Sequence, residues 1–73
     1  MKTLKNCIAV TRIKQGLSQD SLARSVGISR NSIGSIERGE YIPLLTHALR
    51  IARVLGVNVE DIFCLEVEDD SLR

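Results

Sequence analysis

The chain has 73 residues, 44% of them hydrophobic and 26% charged, with a net charge of +1, one Phe, one Tyr and no Trp. This length accommodates one small domain, near the lower limit for a single hydrophobic core, and that core must be mostly aliphatic. No apolar run approaches the roughly 18 residues of a membrane span and no signal-peptide cleavage pattern is present, so we expect a soluble, cytoplasmic protein.

The N-terminal third of the chain predicts two helices. The first runs from about Leu4 to Gln15 and ends at Gly16, since glycine commonly terminates helices. Ser18 is then a natural N-cap for a second helix over Gln19–Val26, because its side-chain oxygen can accept a hydrogen bond from a free backbone N–H group.

The middle of the chain predicts two further helices separated by a loop. After Gly27, Ser29 caps a third helix that ends near Gly39. Pro43 disfavours a helix at the residue before it, which places residues 40–43 in a loop. A fourth helix follows over Leu44–Leu55, with apolar side chains at helical spacing. Its inward face is predicted to consist of Leu45, Ala48, Leu49, Ala52 and Leu55, with Arg50 and Arg53 exposed.

The C-terminal part predicts one short helix and a strand. Asn58, with Asp61 three residues later, resembles a capping box and opens a fifth helix that continues through Phe63. Beyond it, Leu65 and Val67 alternate with acidic residues, which is compatible with a short strand at the start of an acidic tail over residues 66–73.

The two halves of the chain carry opposite net charges. Residues 1–38 have a net charge of +5, whereas residues 39–73 have a net charge of −4. A basic half followed by an acidic tail suits a protein with one phosphate-facing side. A scatter of charges over a solvated surface explains the same numbers equally well, so charge alone does not identify a partner.

Residue types that carry catalytic or metal chemistry are sparse. Cys7, Cys64 and His47 do not complete a zinc ligand set, and we interpret both cysteines as reduced, small apolar side chains, with a redox switch as the alternative. No Gly-rich phosphate loop or nucleophile–base pair can be placed, and the carboxylates of the tail are interpreted as solvating charge. We therefore expect no catalytic activity, no metal ion and no cofactor.

The segment from Gln19 to Arg38, QDSLARSVGISRNSIGSIER, is the most informative part of the chain. Its apolar side chains have the spacing of two short helices packed at a steep angle through a tight turn at Gly27, with a polar stripe left over on the second helix. A helix exposed on such a scaffold has the right shape for the major groove of double-stranded DNA.

The polar stripe of the third helix suits contacts with base edges. Arginine can bind guanine O6 and N7 with two hydrogen bonds, and asparagine can do the same with adenine N6 and N7. A mid-helix glycine costs about 1 kcal/mol relative to alanine, so Gly34 either permits a close approach to the duplex or is merely tolerated. The candidate base contacts are Arg30, Asn31, Gly34 and Ser35.

Side chains around this stripe are candidates for phosphate contacts, which set the register of a protein on DNA without reading its sequence. Gln19 lies at the N-terminus of the second helix, where free N–H groups favour an anion. Tyr41 either contacts the DNA backbone or packs over the fourth helix. The candidate phosphate contacts are Gln19, Ser29, Ser32, Arg38 and Tyr41.

The segment from Arg12 to Phe63 resembles the helix-turn-helix domain of lambdoid phage repressors and Cro, the XRE family. The elements GLSQ, LA, VGIS, IERG, a proline and IA-x-x-LGV-x-x-x-x-IF occur in the family's order. The resemblance implies an all-α, five-helix bundle of the lambda-repressor type. It also implies a single DNA-binding domain over residues 1–73, with the helix-turn-helix at 19–38 and the third helix in the major groove.

The same resemblance implies a role for two charged residues. Arg12 and Glu37 match a pair that joins the first helix to the end of the third in this family. A guanidinium fork on a carboxylate would determine how the third helix is presented. We therefore interpret Glu37 as structural, since its charge would repel phosphate.

The chain also departs from the family pattern at several apolar positions. Ala9, Val10 and Ile13 stand where family members usually have polar residues, and they form either a partner surface or part of the core, with the core favoured for Ile13. Ile42 and Leu44 often correspond to Asn and Ser. Leu44 therefore lacks the cap that is common before the fourth helix.

Family members act as homodimers on palindromic operators. The candidate interface residues here are Val54, Val57, Val59, Ile62 and Leu65. Some short members pair their chain ends as a small antiparallel sheet, which would set residues 2–5 against residues 65–68 with complementary charges. Alternatively, these ends are disordered.

The leading function is sequence-specific binding of double-stranded operator DNA as a homodimer, to regulate and most simply to repress transcription. The alternative is a protein-interaction module, such as an antitoxin-like binder of a regulatory protein partner, that uses the apolar side chains of the first helix and of residues 42–45. The polar side chains of the third helix favour DNA binding, because a helix that no longer contacts DNA does not require arginine and asparagine at these positions.

Overall fold

The computed structural model describes residues 3–66, in which five helices are framed by two short strands. The elements in chain order are β1 (Thr3–Asn6), α1 (Ile8–Lys14), α2 (Gln19–Val26), α3 (Arg30–Glu37), α4 (Leu45–Leu55), α5 (Val59–Ile62) and β2 (Phe63–Glu66). The predicted five-helix fold with a terminal two-stranded ribbon is confirmed. Of the predicted acidic tail at 66–73, only the backbone of Glu66 falls within the described residues.

Local capping defines α2 and α3. The Ser18 side chain accepts a hydrogen bond from the backbone N–H of Ser21 (3.0 Å), and Ser29 accepts one from Ser32 in the same way (3.0 Å). Gly27 ends α2 in the left-handed conformation, with φ of 90°, which lets the chain turn sharply into α3. The predicted bounds of α2 are confirmed, because both of its ends are satisfied by neighbouring residues.

The predicted start of the first helix is wrong. Residues 3–6 form β1, which pairs antiparallel with β2 in the register Thr3↔Glu66, Leu4↔Leu65, Lys5↔Cys64 and Asn6↔Phe63. The N–H of Cys7 extends this ladder by donating to the carbonyl of Ile62 at 3.0 Å. The helix therefore begins at Ile8, because the backbone groups before it are used by the C-terminal strand.

The core lies between the four longer helices and α5. Its members are Ile8, Leu22, Ala23, Val26, Ile33, Ile36, Ala48, Ile51, Ala52, Leu55, Ile62 and Phe63. The predicted inward face of α4 is partly wrong, since Leu45 and Leu49 are exposed and Ile51 is fully buried. Ile13 is also exposed rather than in the core.

Two predicted local features of the C-terminal half are present. Pro43 is buried in the loop between α3 and α4. The Asp61 carboxylate accepts a hydrogen bond from the backbone N–H of Asn58 at 2.9 Å, as a capping box requires. Within residues 3–66, no helix is both long enough and apolar enough to cross a membrane.

Candidate nucleic-acid interface

The outer face of α3 is the candidate DNA-reading surface. Ile33 and Ile36 are buried beneath it, whereas Arg30 and Asn31 at its N-terminal end are exposed and Ser35 is half-buried. This placement follows from the helical repeat, since the two buried residues lie on one face and the polar side chains on the other. Arg30, Asn31 and Ser35 are therefore presented together along one helix.

A hydrogen-bonded network holds α3 from behind. Arg12 on α1 donates from Nε to Glu37 Oε2 (2.8 Å) and from Nη2 to Glu37 Oε1 (3.3 Å). Its Nη1 donates to the carbonyl of Leu17 at 2.8 Å. The side chains of Arg12 and Glu37 are only 11% and 6% exposed. The Glu37 carboxylate thus joins the C-terminal end of α3 to α1, and Arg12 in turn holds the loop before α2.

Gln19 completes this network from the N-terminus of α2. Its Nε2 donates to Glu37 Oε1 at 2.9 Å. The amide therefore braces the carboxylate in this structure, and its contact with phosphate stays a prediction. One carboxylate therefore links the two helices of the helix-turn-helix, because Glu37 belongs to α3 and Gln19 to α2.

Gly34 lies beneath polar side chains and is buried. A Cβ atom at this position would lie 3.1 Å from Arg38 Nη1 and 3.7 Å from Gln19 Nε2. The glycine therefore makes room for these side chains over the middle of α3. A close approach of DNA at Gly34 would require the Arg38 side chain to move, which its exposure permits.

Arg38 is paired with a carboxylate at the edge of the surface. Its Nε and Nη2 donate to Glu40 Oε2 and Oε1 at 2.8 and 3.0 Å. The hydrogen bond from Arg38 lowers the pKa of Glu40, and the same bond raises the pKa of Arg38. A phosphate at Arg38 would have to compete with this ion pair.

The remaining phosphate candidates lie around α3. Ser29 and Ser32 stand at its N-terminus, where the Ser29 hydroxyl caps the helix and donates to Ser32 Oγ at 2.9 Å. Tyr41 follows α3 and is 44% exposed, so it is not a core residue. All three phosphate contacts stay predictions.

Three polar side chains that bond backbone groups near helix ends were not predicted from the sequence. Asn6 Nδ2 donates to the carbonyl of Ile36 at 2.8 Å, and Asn6 Oδ1 accepts from the N–H of Ile8 at 3.1 Å. Arg50 Nη1 donates to the carbonyl of Val26 at 3.3 Å, and Gln15 Nε2 donates to the carbonyl of Leu55 at 2.7 Å. Three of these bonds satisfy a carbonyl at or near a helix end, and their partners lie too far apart in the chain for a local motif to signal them. The fourth satisfies the N–H of Ile8 at the start of α1.

The expected dimer residues have different environments in the single chain. Ile62 is 2% exposed and belongs to the core of the single chain, so it offers almost no surface to a second copy, and its interface role stays a prediction. Val54, Val57 and Val59 are half-buried and pack against the core. Leu65 is 68% exposed on β2. Most of this set is already covered within the single chain.

Both cysteines are free thiols, but they are exposed rather than apolar filling of the core. Cys7 Sγ donates to the carbonyl of Asp61 at 3.3 Å. Cys64 pairs with Lys5 across the ribbon. The interpretation as small apolar filling is therefore wrong, because both residues belong to the terminal ribbon and its edge.

Known proteins are similar to this chain in sequence and in fold. The helix-turn-helix family model matches residues 8–62. The HTH-type transcriptional regulator YgzD of Bacillus subtilis is 38% identical over 66 residues, which cover 90% of this chain and all of that protein.

Two solved structures are also similar. The restriction-modification controller protein C.AhdI from Aeromonas hydrophila superposes with a TM-score of 0.71 at 31% identity, covering 74% of this chain and 82% of that one. The biofilm regulator SinR, solved in complex with DNA, has a TM-score of 0.67 at 30% identity, covering 73% and 86%. The present chain therefore belongs to the helix-turn-helix family of transcriptional regulators, of the XRE type.

Proposed function

We propose that this protein binds double-stranded DNA in a sequence-specific manner, with α3 in the major groove, and acts as a repressor of transcription. The single observation that carries the proposal is the exposed polar face of α3, held from behind by the Arg12–Glu37–Gln19 network. A rigidly presented helix with Arg and Asn at its N-terminal end matches the donor and acceptor pattern of the major groove.

In this proposal the side chains divide into two roles. Arg30, Asn31 and Ser35 read base edges, and Gly34 lets the duplex approach. Phosphate is bound around them by the N-terminus of α2 at Gln19 and by the flanks of α3. The phosphate contacts supply affinity and register, whereas the base contacts supply specificity.

The protein acts as a homodimer on a palindromic operator. A single α3 spans only a few base pairs, so one copy has limited specificity. Two copies related by a two-fold axis can place their α3 helices about 34 Å apart, one turn of DNA. We place this activity in the cytoplasm, and catalysis, metals and cofactors have no part in it.

The test is selection from a randomised duplex library by the purified protein at two salt concentrations, followed by sequencing of the retained DNA. Enrichment of a two-fold symmetric site with half-sites one turn apart supports the proposal. Retention that ignores sequence and disappears at higher salt contradicts it, because only a basic surface would then be responsible.

The alternative function is binding of a regulatory protein. The observation that favours it is the exposure of Val10 and Ile13 on α1, at 55% and 64%. Exposed apolar side chains on one helix face are a common feature of partner surfaces. This alternative leads if the library selection yields no sequence preference.

A further inference from the structure

A patch of five large apolar side chains is exposed where α3 leads into α4. Tyr41, Ile42, Leu44, Leu45 and Leu49 are 44%, 66%, 66%, 71% and 50% exposed. We call these five residues the α3–α4 patch. Exposed apolar patches on the order of a few hundred Å² mark interaction sites on small proteins.

The backbone makes the patch continuous. Pro43 is buried between Ile42 and Leu44, and alternate residues of an extended segment project to the same side, so both neighbours face outward. Leu45 and Leu49 lie one helical turn apart on α4 and share one face. The opposite face of α4 carries Ile51 and fills the core.

We infer that this patch is the surface on which a second copy of the chain docks, an inference that rests on the proposed dimeric DNA binding. The five members carry no formal charge, so a two-fold axis through the patch brings apolar side chains together without opposing like charges. Most of the half-buried valines around α5 are already covered by the core of their own protomer.

The position of the patch also fits a dimer that reads two half-sites. The patch begins four residues after α3 ends at Glu37. Contact between two patches therefore brings the C-terminal ends of the two α3 helices toward the dyad, with Arg30 of each copy directed away from it. The two reading surfaces then face successive major grooves on one side of the duplex.

The size of the patch predicts a weak dimer. From these exposures we expect two copies to bury on the order of 1,000 Å² in total, at the low end of specific interfaces. We expect mostly monomer at low concentration, a reversible dimer at high concentration, and a complete dimer on a duplex with two half-sites, where both copies are held close together.

Leu44 offers a test in which stability and dimerisation change in opposite directions. It occupies the N-cap position of α4 without a side-chain hydrogen bond. Leu44→Ser supplies the missing cap and raises the thermal midpoint of the monomer, while it removes an apolar side chain from the patch and weakens the dimer. If Leu44 has only a structural role in the monomer, Leu44→Ser changes the thermal midpoint and leaves dimerisation unchanged.

The main experiment compares two double variants of the full chain by sedimentation equilibrium over a wide concentration range. Leu45→Gln with Leu49→Gln alters the patch, and Val10→Gln with Ile13→Gln is the matched control on α1. Glutamine is neutral and favours helices, so neither charge nor helix content changes. We expect the patch variant to raise the dimer dissociation constant at least about tenfold and the control to leave it unchanged.

The same proteins are titrated with duplexes that carry one or two selected half-sites. We expect the patch variant to bind one half-site as the unaltered protein does, but to lose cooperative binding to two. The inference is overturned if the patch variant dimerises as the unaltered protein does. It is also overturned if the unaltered protein is monomeric at every concentration and binds two half-sites independently. Failure of every protein to prefer any sequence overturns the proposed function instead, and sedimentation still decides the interface.

Discussion

Glu37 accepts hydrogen bonds from two different helices, and the shortest is from Arg12, whose Nε lies 2.8 Å from Glu37 Oε2. The two residues are 25 positions apart in the chain. Their side chains are almost entirely removed from water, so each charge depends on the other. The orientation of α3 relative to α1 is therefore tied to one ion pair.

Glu37→Ala should lower stability and DNA affinity together. It leaves the Arg12 guanidinium buried without its carboxylate and removes the acceptor of Gln19, so we expect unfolding to become easier by about 3 kcal/mol. Denaturant unfolding and DNA titration measure the two effects. Arg24→Ala, which breaks the exposed Arg24–Asp20 pair, is the control and should cost less than about 1 kcal/mol. Weaker DNA binding at unchanged stability would show that Glu37 contacts DNA directly.

Arg30→Ala should weaken binding to the selected operator by about 1–3 kcal/mol and relax the preference at one base position. Stability should not change, because Arg30 is exposed. Library selection with the variant identifies the base position at which the preference is relaxed. The control is Arg53→Ala on α4, which also removes one exposed positive charge. If the variant binds more weakly but selects the same sequence, Arg30 contacts phosphate rather than a base.

Gly34→Ala should stabilise the protein and weaken DNA binding. Alanine improves helix propensity by about 0.5–1 kcal/mol, and the atom nearest to the new Cβ, Arg38 Nη1 at 3.1 Å, belongs to a flexible, exposed side chain. The added methyl group nevertheless stands where we propose that DNA approaches. Thermal unfolding and DNA titration separate the two effects, and unaltered affinity would mean that the glycine is merely tolerated.

Glu40→Gln should strengthen DNA binding by releasing Arg38. The pKa of Glu40 is lowered by its hydrogen bond with Arg38, so the carboxylate is ionised and the pair is formed at neutral pH. A lowered pKa in the folded state means that the pair's contribution to stability is present above the unfolded pKa and is lost as the pH falls through the folded one.

For this variant we expect the dependence of log affinity on log salt to steepen by about 1, since one more cation reaches phosphate. Glu60→Gln on α5 removes the same charge at an exposed position away from Arg38. An equal gain in both variants would indicate a general effect of net charge rather than release of Arg38.

Asn6→Ala should destabilise the fold by about 2 kcal/mol, because Ile36 loses a donor and Ile8 loses an acceptor. Asn6→Asp keeps the acceptor but places a carboxylate against the carbonyl of Ile36, so it should destabilise as well. Chemical unfolding of both variants measures this. A cost below about 0.5 kcal/mol would show that water replaces the amide.

The helix-turn-helix itself was predictable because its signals are local. Ser18 and Ser29 each cap a helix within three residues, and Gly27 supplies the left-handed turn between α2 and α3. The inward direction of Ile33 and Ile36 follows from helical periodicity over one turn. The pairing of Arg12 with Glu37 follows only from the family resemblance.

Elsewhere the local pattern fits more than one structure. Leu45 and Leu49 have helical spacing and suit an inward face as well as Ala48 and Ile51 do, so periodicity alone did not determine which way α4 is turned. The same ambiguity applies to Ile13 on α1. On α4, packing against α2 and α5 turned the face with the two alanines, Ala48 and Ala52, toward the core. The small alanine side chains let the helices approach closely.

The sequence by itself determined where α2 and α3 lie and which polar side chains α3 presents, because capping and periodicity act within a few residues. Only the tertiary structure decided that residues 3–6 form a strand, that Ile62 is core and that the α3–α4 patch stays exposed. Those outcomes depend on contacts between residues far apart in the chain. The free energy of such contacts comes from packing and shared hydrogen bonds, which no short segment contains.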